Sequence, residues 1–152
     1  MISIIDYEDI YAGDFKDLNL EWLDKYHLTE SHDLMVLDDP RGTIIDHGGY
    51  IFLAKEGIDI VGSAALMKEH EPGVYELAKM SVAIAYRGRG ISKLLMETCL
   101  AKAKEIGAVK LILFSNHQLT TALHLYESYG FRHVEVTDSP FVTADVRMEL
   151  EF

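Results

Sequence analysis

Apolar and polar positions change their spacing several times along this chain, and each change marks an element. Residues 50–55 and 58–67 are apolar runs rich in β-branched and aromatic side chains around a Lys55-Glu56-Gly57 turn, which predicts a hairpin. A third run over 74–83 follows the polar, Pro- and Gly-bearing segment 68–73, so the three predict an antiparallel meander. From 90 to 106 the period becomes helical, with Ile91, Leu94, Leu95, Cys99, Ala103 and Ile106 on one stripe and Gly107 as the stop. Residues 110–115 are apolar again. Strand, helix and strand in this order predict a parallel pair with a right-handed crossover. A helix over 120–129 is stopped by Gly130, and 131–136 and 145–152 are two last strands around a loop with Pro140. Upstream, 2–7 reads as a strand and 9–26 as a helix with Phe15, Leu18, Trp22 and Leu23 on one stripe, interrupted early by Gly13. A shorter helix is predicted at 32–37, broken by Asp38-Asp39-Pro40-Arg41-Gly42, and 43–49 is either a short helix or a loop.

A length of 152 residues fits one domain, 1–152, with no room for a second. The 14 basic and 25 acidic residues give a net charge of −11 without a clustered basic face, which argues against a nucleic-acid partner. No acidic block exceeds Asp38-Asp39, so the charge reads first as a solvated surface and narrows an acceptor only slightly. No apolar run approaches the ~20 residues of a membrane span, and the start Met1-Ile2-Ser3-Ile4-Ile5-Asp6 lacks a basic, then apolar, leader. The expectation is a cytoplasmic protein with no membrane partner. Cys99 is the single cysteine and lies on an apolar helix stripe, where a thiol is a small hydrophobe and not a redox group. The seven histidines show no His-x-x-x-His pair and no cysteine at zinc spacing, so no metal is expected.

Candidate chemistry gathers where the strand ending at Val82 runs through Arg87-Gly88-Arg89-Gly90 into the helix opening at Ile91. Gly88 and Gly90 can take positive φ and let a ligand approach the backbone, while the first N–H groups of the helix point at the same place. That is a cradle for phosphate. It lacks the Gly-Lys-Ser/Thr of the P-loop, and Leu94 and Lys93 stand where a dinucleotide fingerprint has its third glycine.

The pattern Arg87-x-x-Gly90-x-Ser92 resembles the Arg/Gln-x-x-Gly-x-Gly/Ala signature of the GNAT superfamily of acyl-CoA-dependent N-acetyltransferases. Ala122-Leu123-His124-Leu125-Tyr126-Glu127-Ser128-Tyr129-Gly130-Phe131 is similar to that superfamily's Ala-x-x-Leu-Tyr-Glu-x-x-Gly-Phe helix. The resemblance runs from about Gly49 to the C-terminus and is weakest over 1–48, with Ser92 in place of a usual Gly or Ala.

The resemblance implies an α/β (α+β) fold, a mixed and mostly antiparallel sheet of about seven strands flanked by helices and splayed at its parallel pair. It implies acetyl-CoA as the acetyl donor. The amides of Gly88, Arg89, Gly90, Ile91, Ser92 and Lys93 would hold the pyrophosphate, with Arg87 and Arg89 adding positive charge. The backbone of Met80, Ser81 and Val82 would pair with the pantetheine arm, and one amide, that of Met80, would polarise the thioester oxygen. Tyr126 matches the family's proton donor to the departing thiolate, and Glu76 stands where many relatives place the carboxylate that takes the amine's proton through water. Each has a plainer reading, Tyr126 as a core aromatic and Glu76 as a solvated strand residue. Asn116 is either a pantetheine contact or a turn cap. Tyr129 reads as packing, and His124, on another side of its helix from Tyr126, as surface.

The function implied is direct transfer to a primary amine of a small molecule in a ternary complex, with a homodimer left open. A protein N-terminal or lysine acetyltransferase would instead show an open groove lined by Trp22, Tyr26 and the loop 138–143. A silent acyl-CoA-binding sensor is the reading from another class.

Overall fold

A computed structural model describes residues 1–152. Seven strands form one sheet in the order β1 (Ile2–Asp6), β2 (Tyr50–Glu56), β3 (Asp59–Lys68), β4 (Val74–Val82), β5 (Lys110–Ser115), β7 (Val146–Glu151) and β6 (Arg132–Val134). All neighbours are antiparallel except β4 and β5. The expected meander and the parallel crossover are both present, joined by α3 (Ile91–Glu105). The remaining helices are α1 (Ala12–Lys25), α2 (Ser31–Asp38) and α4 (Thr120–Ser128).

Each face of the sheet buries its own apolar layer. Leu95, Met96, Cys99 and Ala103 of α3 and Tyr126 of α4 pack with Ala64, Leu66, Leu77, Leu111 and Leu113. On the other face Phe15, Leu23, Val36 and Leu37 of α1 and α2 cover Ile51, Leu53 and Ala65. Alternation of side chains along β2 and β3 feeds both layers, which is why these strands read as continuous apolar runs. Cys99 is fully buried and its thiol is pushed up to about 12 by burial, in keeping with a packing role.

The upstream elements differ in detail from the sequence reading. The predicted helix 9–26 is a 3₁₀ turn, Asp9–Tyr11, followed by α1. Gly13 lies in the first turn of α1 without interrupting it, with open space about its α-carbon. The helix expected at 32–37 extends to Ser31–Asp38 because Asp33 Oδ2 accepts the backbone N–H of Glu30 at 2.9 Å and caps the start. Between Pro40 and Gly49 a single wide helical turn, Arg41–Ile45, is the short-helix alternative. The final strands are shorter than predicted.

One irregularity matters for the site. Ser63 and Ala65 of β3 face Ser81 and Ala78 of β4, so Lys79 and Met80 together oppose Ala64 alone. This is a β-bulge, and Lys79 takes a left-handed φ of 53° within it.

Candidate active site

Pairing between β4 and β5 covers only Val74–Lys110, Tyr75–Leu111 and Glu76–Ile112. Beyond Glu76 the strands diverge, since β4 bulges while β5 stays zipped to β7 as far as Ser115 and Val146. A cavity of about 640 Å³ opens in the gap. It is lined by Glu76, Met80, Ser81, Val82, Arg87, Gly88, Gly90, Ile91, Ser92, Lys93, Asn116 and Tyr126. Every residue singled out from the sequence is there except Arg89. The Arg89 side chain stacks over the Tyr86 ring at 4.8 Å and donates to Glu56 at 3.3 Å, leaving only its backbone in the loop.

The loop has the geometry of an anion cradle. Gly88 and Gly90 adopt φ of 80° and 76°, and a Cβ on either would meet nothing within 4 Å. The N–H groups of Gly88 through Lys93 find no acceptor within the chain. Six donors thus converge at the start of a 15-residue helix whose dipole favours negative charge. A pyrophosphate fits this set of donors by charge and by hydrogen-bond type.

Tyr126 and Glu76 reach the cavity from opposite faces of the sheet. The Tyr126 ring belongs to the α3 layer and packs against Phe131 at 6.0 Å between ring centres. Burial pushes its phenol up to about 12, so it carries its proton at neutral pH, as an acid must. Glu76 faces the α1–α2 side. Burial first, then the charges of Glu69 and Asp33 opposed by Lys79, push its carboxyl up to about 8. A carboxyl poised near neutrality is suited to take a proton.

Other side chains are tied into the structure. The Asn116 amide donates to Thr143 O at 2.8 Å and its oxygen accepts from Gln118 N at 3.0 Å, which are the bonds of a turn. The Ser81 hydroxyl donates to Leu18 O at 2.9 Å, so its backbone alone is available to a ligand. Tyr129 lies at the edge of the α3 layer, and His124 lines the cavity rim.

Sequence reasoning missed a buried ion pair. Lys79 Nζ meets Asp33 Oδ1 of α2 at 2.5 Å, with side chains 5% and 3% exposed, and lies 5.3 Å from the centre of the Phe141 ring. Strict alternation from Glu76 would have put Lys79 on the Leu77 side. The bulge inserts one residue, so Lys79 and Ser81 join the face of Glu76 while Met80 and Val82 pack with Leu77. No pattern in the sequence announces that shift. Across the cavity mouth, Glu30 accepts the N–H groups of Val142 and Thr143 at 2.8 and 2.9 Å. This clamps the loop after β6 onto the start of α2.

A mixed sheet opened at its parallel pair, with an anion cradle at one end of the gap and a buried phenol and carboxyl along it, defines a transferase that takes its group from a phosphate-bearing carrier. The family follows from sequence: residues 47–133 match the model of the acetyltransferase (GNAT) domain, and the chain belongs to that family of acyltransferases. An amino-acid acetyltransferase of Mannheimia succiniciproducens is 25% identical over 139 residues, 91% of this chain and 30% of that protein. The chain thus spans about a third of that relative's length. Among solved structures, a GNAT acetyltransferase of Staphylococcus aureus Mu50 superposes with a TM-score of 0.91 at 22% identity, covering 99% of both chains. The PaiA N-acetyltransferase of Thermoplasma acidophilum, solved with coenzyme A, superposes at 0.78 with 14% identity over 100% of this chain and 99% of that one. No helix is long and apolar enough to cross a membrane, and no group of three or more His, Cys, Asp or Glu side chains is gathered to hold a metal ion.

Proposed function

We propose that residues 1–152 form an N-acetyltransferase domain that moves an acetyl group from acetyl-CoA to a primary amine of a small molecule, directly and within a ternary complex, in the cytoplasm. The observation that carries this reading is that Gly88, Gly90, Ile91, Ser92 and Lys93, whose amides find no acceptor within the chain, the bulged backbone at Met80, and the side chains of Tyr126 and Glu76 all line one cavity. Acetyl-CoA, when bound, supplies an activated acetyl thioester. The cradle amides and Arg87 hold its pyrophosphate. The backbone of Met80, Ser81 and Val82, which lacks a β5 partner, pairs with the pantetheine arm as an added strand would. The Met80 N–H polarises the thioester oxygen. Glu76 takes a proton from the incoming ammonium, the free amine forms the C–N bond at the thioester carbonyl, and as the C–S bond breaks Tyr126 gives its proton to the departing thiolate sulfur and is restored by the second proton that leaves the new amide nitrogen.

A small acceptor is favoured over a protein chain by the clamp of Glu30 on the 142–143 backbone, which ties down the loop that lines the cavity together with Trp22 and Tyr26 and keeps it from standing open as a groove. The amino-acid acetyltransferase relative is in accord with a small acceptor.

Steady-state rates of CoA release, measured over a panel of amines with the N-acetyl product confirmed by mass, test the proposal. Intersecting initial-velocity lines with an amine-dependent rate are expected. Parallel lines would mean an acyl-enzyme, and release independent of any amine would remove the transferase reading for small acceptors.

A further inference from the structure

A buried polar relay runs from α1 through β3 to the bulge. Asn19, fully buried on α1, donates through Nδ2 to Phe15 O at 2.9 Å and to Ser63 Oγ at 3.1 Å. The Ser63 hydroxyl, also fully buried, donates to Lys79 O at 2.7 Å. The direction of the relay is fixed. A flipped Asn19 amide would set its oxygen against the Phe15 carbonyl, and a serine that accepts from Asn19 has one hydrogen left to give, to Lys79 O. The arrangement leaves Asn19 Oδ1 buried with no partner, a penalty that an apolar residue at this position would avoid.

The Lys79 carbonyl shares its peptide plane with the Met80 N–H. In a planar trans peptide the two point in opposite directions, and no peptide in the chain is cis. Holding the carbonyl toward β3 therefore turns the Met80 N–H toward the gap that β5 has left. Lys79 pays for this with a left-handed φ of 53°, a conformation that a side chain other than glycine adopts only when its surroundings hold it there. Its ammonium is held separately by Asp33.

We propose that Ser63, set by Asn19, is a positioning residue that aims the Met80 amide at the thioester oxygen. The inference rests on the reading of Met80 as the polarising donor. Neither side chain lines the cavity, so neither touches a substrate. Loss of a donor aimed at a developing oxyanion lowers kcat by about 10²–10³, and a donor left in place but misdirected should lose a part of that, about tenfold to a hundredfold.

The test uses the full chain with acetyl-CoA carrying ¹³C at the thioester carbonyl, bound without acceptor and followed by its infrared carbonyl stretch. In the wild type the stretch falls below that of free acetyl-CoA. Ser63→Ala should lessen that fall and lower kcat, with the Kd for CoA unchanged. Asn19→Leu, which removes the orphaned oxygen, should melt no lower than the wild type and still lose kcat, a split that a merely structural role does not produce. A wild-type stretch that is lowered and stays equally lowered in both variants, with kcat unchanged, would overturn the relay alone. A wild-type stretch equal to that of free acetyl-CoA would overturn the Met80 reading itself, and the relay's purpose with it.

Discussion

Glu76 shows how a single buried residue ties pH to both stability and rate. Its carboxyl is pushed from the usual 4.5 up to about 8, chiefly by burial. A folded-state value above the unfolded one means that the native state holds the proton more tightly. The group's contribution to stability is then full below about pH 4.5 and is lost as pH rises through 8. Glu76→Gln should therefore melt at a temperature close to the wild type at pH 4 and higher than the wild type at pH 9. An advantage independent of pH would show that Glu76 does not titrate in this range. For catalysis the sign is reversed. The base form increases through pH 8, so kcat/KM should rise across that interval in the wild type, and the limb should be missing in Glu76→Gln. The identity of this residue as a candidate was legible only through the family resemblance, which implies a carboxylate at this place on the strand, and its environment was not. Glu69, Asp33 and Lys79 bear on it; Lys79 approaches because of a bulge that alternation along the strand does not forecast, and Asp33 comes from α2, remote in sequence.

Elements carry the next level of constraint. The ion pair Lys79–Asp33 joins α2 to β4 in a setting where both side chains are almost fully buried. Asp33→Ala would leave an uncompensated ammonium in that setting and is expected to destabilise the protein by ~3–5 kcal/mol, read as a shift in urea midpoint at constant m-value. A change below ~1 kcal/mol would mean that Lys79 finds water. Gly90 in the cradle and Gly107 just beyond the other end of α3 form a natural control. Both adopt left-handed φ, 76° and 75°, and a Cβ on either meets open space, so valine at either position brings similar backbone strain. Only Gly90→Val should abolish the CoA-induced rise in melting temperature. Equal loss in both would remove the cradle argument. Elements with a strong period, β2 to β4, α3, β5 and α4, were readable because local spacing and tertiary burial agree. The 9–49 region was read less well. Its turns depend on partners remote in sequence, such as Asp9 for Arg41 at 2.6 Å and Thr143 for Glu30, and on a cap, Asp33, that also serves the ion pair.

At the scale of the whole molecule, the sheet stands between two half-sites. The α3–α4 face brings the cradle and Tyr126, the α1–α2 face brings Glu76 and the proposed acceptor end, and the early end of β4–β5 pairing opens one cavity to both. The first half was legible because two motifs, Arg87-x-x-Gly90-x-Ser92 and the helix around Tyr126, are local in sequence. The second was legible only in pieces, Glu76 and the loop 138–143, since its assembly with Asp33 and Lys79 joins three separate segments that only the fold brings together. Because the donor binds only the folded chain, CoA at a hundredfold excess over its Kd should add about 2.7 kcal/mol of stability, seen as a higher melting temperature. A flat profile at millimolar CoA would contradict this. Tyr126 is proposed to supply the proton to the departing thiolate. The decisive measurement is kcat for Tyr126→Phe on an acceptor found in the amine panel, with CoA affinity measured alongside. The ring keeps its place against Phe131, so kcat is expected to fall by ~10²–10⁴-fold with CoA affinity unchanged, whereas wild-type turnover in the variant would mean that the proton comes from another group.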